Sequence, residues 1–372
     1  MGFESATLGF NEPTLTSLAY ICYLLAFLSF SAHLLTKAGR TVHVVQGTMA
    51  LAGAGVGGNV DVTVTSDGET RRPSAFSPLA GRVAAGLVVA AWLSLTTALV
   101  LRWVEIGHYP TVTLYEIVTM LVWGTTTIYL ILFEAVLKTR AAGAFVVVLI
   151  FCLQSYALWF IPADLKRPIP LVPALRSYWL MIHVSMAIIS YSPFATAAGA
   201  GLTFLAKHYQ KGRLAAALPS GAAIEEFMFR AVAVGFPFMT LVLITGAVWA
   251  NEAWTKAWSW DPKEVWALVT WLTYAAYLHV RVQRGVRGVT MAWLSLIGFV
   301  VVLITFMGVN YMVQWFGLDS MHVYTQSSTP QGGIGVAGLL TVLFLFGLLI
   351  LALFSWLRIK FPSGRRAPGK QM

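Results

Sequence analysis

The stretch that decides the fold runs from residue 232 to residue 264. It begins as VAVGFPFMTLVLITGAVWA (232–250) and continues as NEAWTKAWSWDPKE (251–264). The first part has no charged residue over a length that crosses a bilayer as a helix, since about 20 apolar residues span the hydrocarbon core. The second part concentrates tryptophans, both signs of charge and a proline. The sequence therefore predicts a membrane-spanning helix that emerges into a tryptophan-rich loop.

Similar apolar runs recur along the 372 residues, of which 58% are hydrophobic and only 11% are charged. Soluble domains carry about 25% charged residues. We therefore expect an all-α, polytopic bundle in the lipid bilayer. The nine predicted spans are 15–35, 82–101, 112–133, 143–161, 179–205, 232–250, 264–280, 290–312 and 334–357.

The net charge of +10 reflects basic residues between the apolar runs, which indicates membrane orientation and not nucleic-acid binding. These spans place 19 of the 25 Lys and Arg residues on one side and 6 on the other. The positive-inside rule then predicts an N-terminus outside and a C-terminus in the cytoplasm. The predicted regions are a first transmembrane helix (1–35), a flexible Gly-rich cytoplasmic linker (36–81), a membrane core (82–357) with its outer segment (249–264), and a basic cytoplasmic tail (358–372).

The outer segment holds most of the functional signal. Five tryptophans fall close together: Trp249, Trp254, Trp258, Trp260 and Trp266. If part of the segment is a short helix, Trp254 and Trp258 share one face. Asp261-Pro262-Lys263-Glu264 is typical of a helix start, with an acidic N-cap and proline at the first position. An interfacial aromatic belt is the alternative, but the concentration in one loop favours a stacking platform for a large flat ligand.

Histidines supply candidate metal ligands on the same side. His183 lies near the outer end of span five, and His322 lies in the loop after span eight, so two imidazoles flank the aromatic segment. His279 lies about 22 Å along span seven from Glu264, at 1.5 Å per residue. His33 lies at a similar depth in span one, where it either faces His279 or marks the end of the span. The two cysteines, Cys22 and Cys152, form no CxxC pair, and we expect both to be packing residues.

Four stretches carry a family resemblance that extends from about His108 to His322. WSWDPKE (258–264), GAVWANEAW (246–254), YLHVR (277–281) and GHYPTVTLYE (107–116) resemble the CcsA/ResC family, called CcsB in actinobacteria. These proteins belong to the tryptophan-rich WWD superfamily of haem-handling membrane proteins. They are the integral membrane subunits of the system II cytochrome c synthase.

The resemblance implies haem b as the cofactor, held at the outer face by His183 and His322. It implies a second, inner haem site at His279, whose other ligand comes from a ResB/Ccs1-type membrane partner or from His33. It also implies haem contacts for Trp254, Trp258, Trp260 and Asp261. The implied activity is that of a cytochrome c haem lyase in the bacterial plasma membrane, which transports haem and joins its vinyl groups to the CxxCH thiols of apocytochrome c. Separate thiol-reducing proteins would keep those thiols reduced.

Cationic partners for the haem propionates are expected among Arg102, Arg176, Lys256 and Lys263, each of which is otherwise an ordinary interfacial charge. His108, Tyr115 and Glu116 are candidate supports of the site, and Glu116 is alternatively a hydrogen-bonded packing residue. Two rival functions stay open: a haem exporter without synthase activity, and a haem-carrying electron-transfer subunit.

Overall fold

A computed structural model of the protein describes residues 11–52, 76–131, 143–167, 173–210 and 213–322. Within these ranges all regular elements are helical. The α-helices are α1 (Glu12–Ala52), α2 (Phe76–Ile106), α3 (Leu114–Tyr129), α4 (Gly143–Ser155), α5 (Tyr178–Tyr209), α6 (Arg213–Ala217), α7 (Gly221–Trp254), α8 (Pro262–Val282), α9 (Val289–Leu303) and α10 (Val309–Phe316). Two π-helical segments, Tyr156–Phe160 and Ile304–Gly308, follow α4 and α9. Two short 3₁₀ helices, Asp164–Lys166 and Pro173–Leu175, lie before α5.

Six of these helices are long and apolar enough to cross a membrane. The six segments are Glu12–Lys37, Leu79–Ile106, Gly143–Phe160, Tyr178–Tyr209, Gly221–Trp254 and Val289–Gly308. Each contains or closely overlaps one predicted span. The prediction of an all-α polytopic membrane bundle is therefore confirmed.

Three predicted spans, the third, seventh and ninth, are not among these six segments. Spans three and seven correspond to α3 and α8, which have 16 and 21 residues and are shorter or more polar than the six. Span nine (334–357) lies outside the described residues. Both ends of the predicted linker 36–81 are helical, because α1 continues to Ala52 and α2 begins at Phe76. The total of nine spans and the orientation stay predictions.

Helices α5 and α7 form the central pair, and they run antiparallel. A Cβ atom on Gly235 would lie 2.7 Å from the Phe194 ring, and one on Gly246 would lie 2.8 Å from the ring of His183. Residue numbers therefore increase along α7 in the direction in which they decrease along α5. Glycine at these two positions lets the helix backbones approach more closely than any side chain allows.

Helices α8 and α9 pair in the same antiparallel manner. A Cβ atom on Gly298 would lie 2.8 Å from the Tyr274 ring, and the hydroxyls of Thr270 and Thr305 are hydrogen-bonded at 2.7 Å. The start of α5, the end of α7, the start of α8 and the π segment after α9 consequently meet at one end of the bundle. This is the end at which the sequence predicts the haem site.

Candidate haem-binding cavity at one end of the bundle

A cavity that is partly open to solvent lies where these helix ends meet, and its empty space together with the solvent at its mouth is about 1020 Å³. His183, His322, Trp249, Trp258 and Lys263 all line it. The segment before α3 and the π segment after α9 complete its walls with mostly apolar side chains. Residues distant in the sequence, and predicted separately as ligands, platform and cation, thus contribute to one concave surface.

The imidazole of His183 is fixed by helix α7. Its Nδ1 atom lies 3.0 Å from the carbonyl oxygen of Val242. A carbonyl only accepts hydrogen bonds, so Nδ1 carries the proton and Nε2 carries the lone pair. The ring stacks on Trp249 at 6.0 Å between centroids, and Gly246 leaves room for it. His183 is therefore held as a neutral imidazole with one nitrogen available as a ligand.

The imidazole of His322 packs against the same indole. It meets the rings of Trp249 and Trp254 edge-on, at centroid distances of 5.6 and 4.9 Å. Its Nδ1 atom lies 3.1 Å from Asp261 Oδ1, although the two atoms are not aligned as a hydrogen bond. Trp249 is 2% exposed and donates its indole N–H to the carbonyl oxygen of Ala174 at 3.0 Å. A rigid, buried indole thus contacts both predicted iron ligands.

The tryptophan-rich segment is not a short helix, and the prediction that Trp254 and Trp258 share a helical face is wrong. Helix α7 ends at Trp254 because Thr255 adopts a left-handed conformation with φ 60°. The chain then runs irregularly to Asp261. Trp258 lines the cavity and meets Trp260 edge-on at 5.7 Å, whereas Trp260 is 71% exposed. Trp249 and Trp258 therefore line the cavity, Trp254 contacts His322 edge-on, and Trp260 lies at the surface.

The helix start predicted at Asp261 is confirmed. Asp261 Oδ1 accepts from the Lys263 N–H at 2.9 Å, and Pro262 occupies the first turn. Glu264 completes the capping box and accepts from the N–H groups of Ser259 at 2.8 Å and Asp261 at 3.1 Å. These bonds bracket Trp260, whose φ of 60° is unusual for a bulky residue. Glu264 therefore fixes the loop conformation that displays Trp260.

A second, buried polar network supports the part of the cavity wall that Val112 forms. Arg102 donates from Nε and Nη2 to Glu116 Oε1 at 3.0 and 2.9 Å, and from Nη2 to the Lys166 carbonyl oxygen at 2.7 Å. Glu116 Oε2 accepts from the N–H groups of Val112 and Thr113, both at 3.0 Å. Because Val112 lines the cavity, Glu116 acts as a support through hydrogen bonds. Arg102 is committed to this network, which argues against a propionate role.

The neighbours of Glu116 belong to the same network. Tyr115 donates its hydroxyl to a carboxylate oxygen of Glu12 on α1, and the Lys166 ammonium lies 5.9 Å from the Tyr115 ring centroid. His108 is half-buried, with Nδ1 3.0 Å from the Tyr109 carbonyl oxygen, and it does not line the cavity. Tyr115 thus connects α1 to α3, whereas His108 stands apart from the cavity wall.

The other predicted cations separate by position. Arg176 and Lys256 are exposed, while Lys263 lines the cavity. Burial among apolar side chains lowers the pKa of Lys263 to about 8, even though the Asp261 carboxylate opposes the shift. Among these three residues, Lys263 is the cation that a ligand in the cavity would meet.

The two inner histidines are not brought together. His279 lies in the last turn of α8 and is exposed, and α8 packs mainly against α7 and α9. His33 is half-buried on α1, which packs mainly against α2, α4 and α6. A shared haem site between these two residues has no support in the packing of the described helices.

Sequence reasoning missed two parts of the site. Neither Gly246 nor the Val242 carbonyl had been assigned a role, yet together they set the position and tautomer of His183. Gly246 lies in the quoted GAVWANEAW stretch, but the sequence does not show why a glycine occurs within a helix. The close approach of α5 shows that this glycine leaves room for the His183 ring. A backbone carbonyl has no sequence signal at all.

Comparison with known proteins identifies the same family that the sequence motifs resemble. The cytochrome C assembly protein family matches residues 111–316, more than half of the chain. The cytochrome c biogenesis protein CcsA of Guillardia theta is 37% identical over 249 residues, covering 61% of this chain and 82% of that protein. The CcsA protein of Synechococcus sp. (strain RCC307) is 37% identical over 273 residues, covering 64% and 88%.

A solved structure shares the fold. The cytochrome c haem lyase CcmF superimposes with a TM-score of 0.51 at 18% identity, covering 95% of this chain and 52% of that one. The matched family region contains His183 and the tryptophan-rich segment, and His322 follows shortly after it. On these matches, the chain belongs to the cytochrome c assembly protein family and resembles its CcsA members.

Proposed function

We propose that this protein binds haem in the cavity between His183 and His322 and presents it for attachment to apocytochrome c. The observation that carries the proposal is that both imidazoles line one cavity and contact the same buried indole, Trp249. Two imidazoles are a common axial pair for haem iron. We further propose that this end of the bundle faces outward from a bacterial plasma membrane.

The cavity fits such a ligand in chemistry. Small-molecule sites are mostly apolar with a few placed polar groups. This cavity combines apolar walls with two imidazoles and one ammonium group. Trp258 offers an indole to a flat macrocycle, and Lys263 offers a positive charge to a carboxylate.

The proposed reaction adds each thiol of a CxxCH segment across a haem vinyl group. A sulfur–carbon bond forms at the inner vinyl carbon, and the thiol proton ends on the outer carbon, so the addition has no net oxidation. The thiols must therefore arrive reduced. The chain's two free cysteines, Cys22 and Cys152, lie on α1 and α4 and not in the cavity, so we assign thiol reduction to separate proteins. The contribution of this chain is to hold and orient haem.

His279 supports a second site shared with a partner. An ionisable side chain within a span is energetically costly, so its presence there marks a candidate functional site. His279 is exposed on α8 and lies away from the cavity. We propose that a ResB/Ccs1-type membrane partner covers this surface and supplies the other iron ligand.

Axial ligation is tested by His183→Gly and His322→Gly, each of which removes one imidazole. We expect loss or alteration of the haem absorption spectrum, lower yield of covalent cytochrome c, and partial rescue of both by added imidazole. His279→Gly should be rescued less, because it lies about 22 Å from the start of α8. Normal spectra and normal yield in both outer variants would refute the ligand assignment.

Synthase activity is tested by reconstitution with a CxxCH substrate. The purified protein, with and without its membrane partner, is supplied with reduced apocytochrome c and ferrous haem. Thioether product establishes the lyase reaction. Haem that crosses or binds without any thioether product would favour an exporter or an electron-transfer subunit instead.

A further inference from the structure

Asp261 makes more bonds than a helix cap requires. Besides its capping bond to Lys263, Oδ1 accepts from the Ser320 hydroxyl at 3.1 Å. Oδ2 accepts from the N–H of Met321 at 2.8 Å. One carboxylate thus binds the start of α8 and a turn some 60 residues further along the chain.

The turn that Asp261 holds is the one that carries His322. The Ser320 hydroxyl also accepts from the N–H of His322 at 3.2 Å, so Asp261, Ser320 and His322 form a continuous set of polar contacts. The Asp261 side chain is 3% exposed and that of His322 is 12% exposed. The contact between the carboxylate and the imidazole is therefore shielded from water, where electrostatic interactions are strong.

We propose that Asp261 is the positioning residue for His322, so that the tryptophan-rich segment and the histidine-bearing turn act as one unit. The inference rests on the haem-binding function proposed above. A carboxylate behind a ligating imidazole fixes the ring orientation, favours the Nδ1–H tautomer and makes Nε2 a stronger donor to a metal. His183, whose Nδ1 faces the neutral Val242 carbonyl, lacks this charge. The two axial ligands are consequently unequal, with His322 the stronger donor.

Substitutions at Asp261 separate capping from positioning. Serine caps helices about as well as aspartate, but its side chain is too short to reach the turn at 320–322. We expect Asp261→Ser to insert normally while its haem spectrum changes as in His322→Gly, with partial rescue by imidazole. Asn can keep Oδ1 as the acceptor for the Lys263 N–H and the Ser320 hydroxyl, but its Nδ2 only donates, so the charge and the bond from the Met321 N–H are lost. Asp261→Asn should keep both axial ligands and shift the haem reduction potential upward, because the imidazole becomes a weaker donor.

A matched control removes a helix cap away from the cavity. Ser220 caps α7 by accepting from the Ala223 N–H at 3.2 Å, and it lies at the opposite end of that helix from Trp249. Ser220→Ala should lower stability without any change in the haem spectrum or potential. A purely structural role for Asp261 would make its serine variant behave like this control.

A measurement on the haem-free protein checks the same contact independently. The Met321 amide donates to Asp261, so Asp261→Ser should accelerate hydrogen exchange of a peptide covering 317–322 by about tenfold or more, whereas Ser220→Ala should not. Unchanged exchange together with a wild-type spectrum in Asp261→Ser would overturn the inference while His322→Gly still loses haem. If His183→Gly and His322→Gly both retain wild-type spectra, the proposed function itself fails.

Discussion

At the scale of single residues, the site depends on how closely α7 approaches His183. The missing side chain of Gly246 leaves the space that the imidazole occupies, and the Val242 carbonyl one turn earlier holds its Nδ1 proton. Neither residue needs to contact haem. Both determine whether Nε2 of His183 points into the cavity.

Gly246→Ala is expected to displace the His183 ring, because the added Cβ would lie 2.8 Å from Cε1 and 3.0 Å from Nδ1. We expect an altered haem spectrum and weaker haem retention, although the histidine is still present. Gly235→Ala is the matched control, because Gly235 lies on the same helix as Gly246 but away from the cavity. Its added Cβ would lie 2.7 Å from the ring of Phe194 on α5. It should lower thermal stability and leave the spectrum of the bound haem unchanged. Identical spectra in both variants would show that Gly246 serves only helix packing.

If haem binds in the cavity as proposed, Lys263 is expected to make its affinity dependent on pH. Its pKa of about 8 lies below the usual value of 10.5, and a bound propionate would raise it again. Binding therefore takes up a proton above pH 8. Affinity should be fully present below about pH 8 and fall by up to about tenfold per pH unit above it. Titrations of haem binding between pH 7 and 10 test this, and Lys263→Met and Lys263→Arg should both remove the slope because neither titrates in that range.

At the scale of elements, the decisive feature is the interruption between α7 and α8. Two residues with φ of 60°, Thr255 and Trp260, flank the irregular segment, and the capping box of Asp261 and Glu264 restarts the helix. Because of the interruption, the tryptophans lie in different environments. Trp249 ends up buried, Trp258 lines the cavity and Trp260 is exposed.

Trp258→Ala should therefore weaken haem retention more than Trp260→Ala does. Loss of an indole that stacks on the ligand removes roughly 1–3 kcal/mol of apolar contact, which corresponds to about 5- to 150-fold in affinity. The exposed Trp260 loses much less contact with a ligand in the cavity. Haem dissociation rates of the two inserted variants provide the comparison. Wild-type rates in both would mean that the tryptophans form only an interfacial belt.

At the scale of the whole molecule, antiparallel packing collects the site at one end of the bundle. The contacts of α5 with α7 and of α8 with α9 place His183, Trp249, Lys263 and the π segment at the same level. The 19 to 6 distribution of basic residues over the predicted spans predicts that this end faces outward.

Reporter fusions test that orientation. Fusions in 36–80 and at the C-terminus should report cytoplasm, and a fusion near Lys256 should report the outside. Since haem attachment is proposed to occur outside, a cytoplasmic location of the Lys256 region would refute the proposed site for the reaction.

The sequence by itself determined the membrane class, the six confirmed long spans, the helix start at Asp261 and the family. These properties depend on local composition and spacing: apolar runs of bilayer length, and an acidic cap followed by proline. It also placed His183 and His322 on one predicted side, because the number of spans between two residues fixes their relative side.

Only the tertiary structure decided how those residues are used. The conformation of 255–260 depends on Glu264 reaching back to Ser259 and Asp261, so the regular spacing of Trp254 and Trp258 gave the wrong local structure. Arg102 on α2 is bonded to Glu116 on α3, which argues against the predicted contact of Arg102 with a haem propionate. Gly246, the Val242 carbonyl and the contact of Asp261 with the 320–322 turn are likewise set by helix approach. Contacts between residues about 60 positions apart depend on how closely the folded segments pack, and a local pattern of residues does not predict that distance.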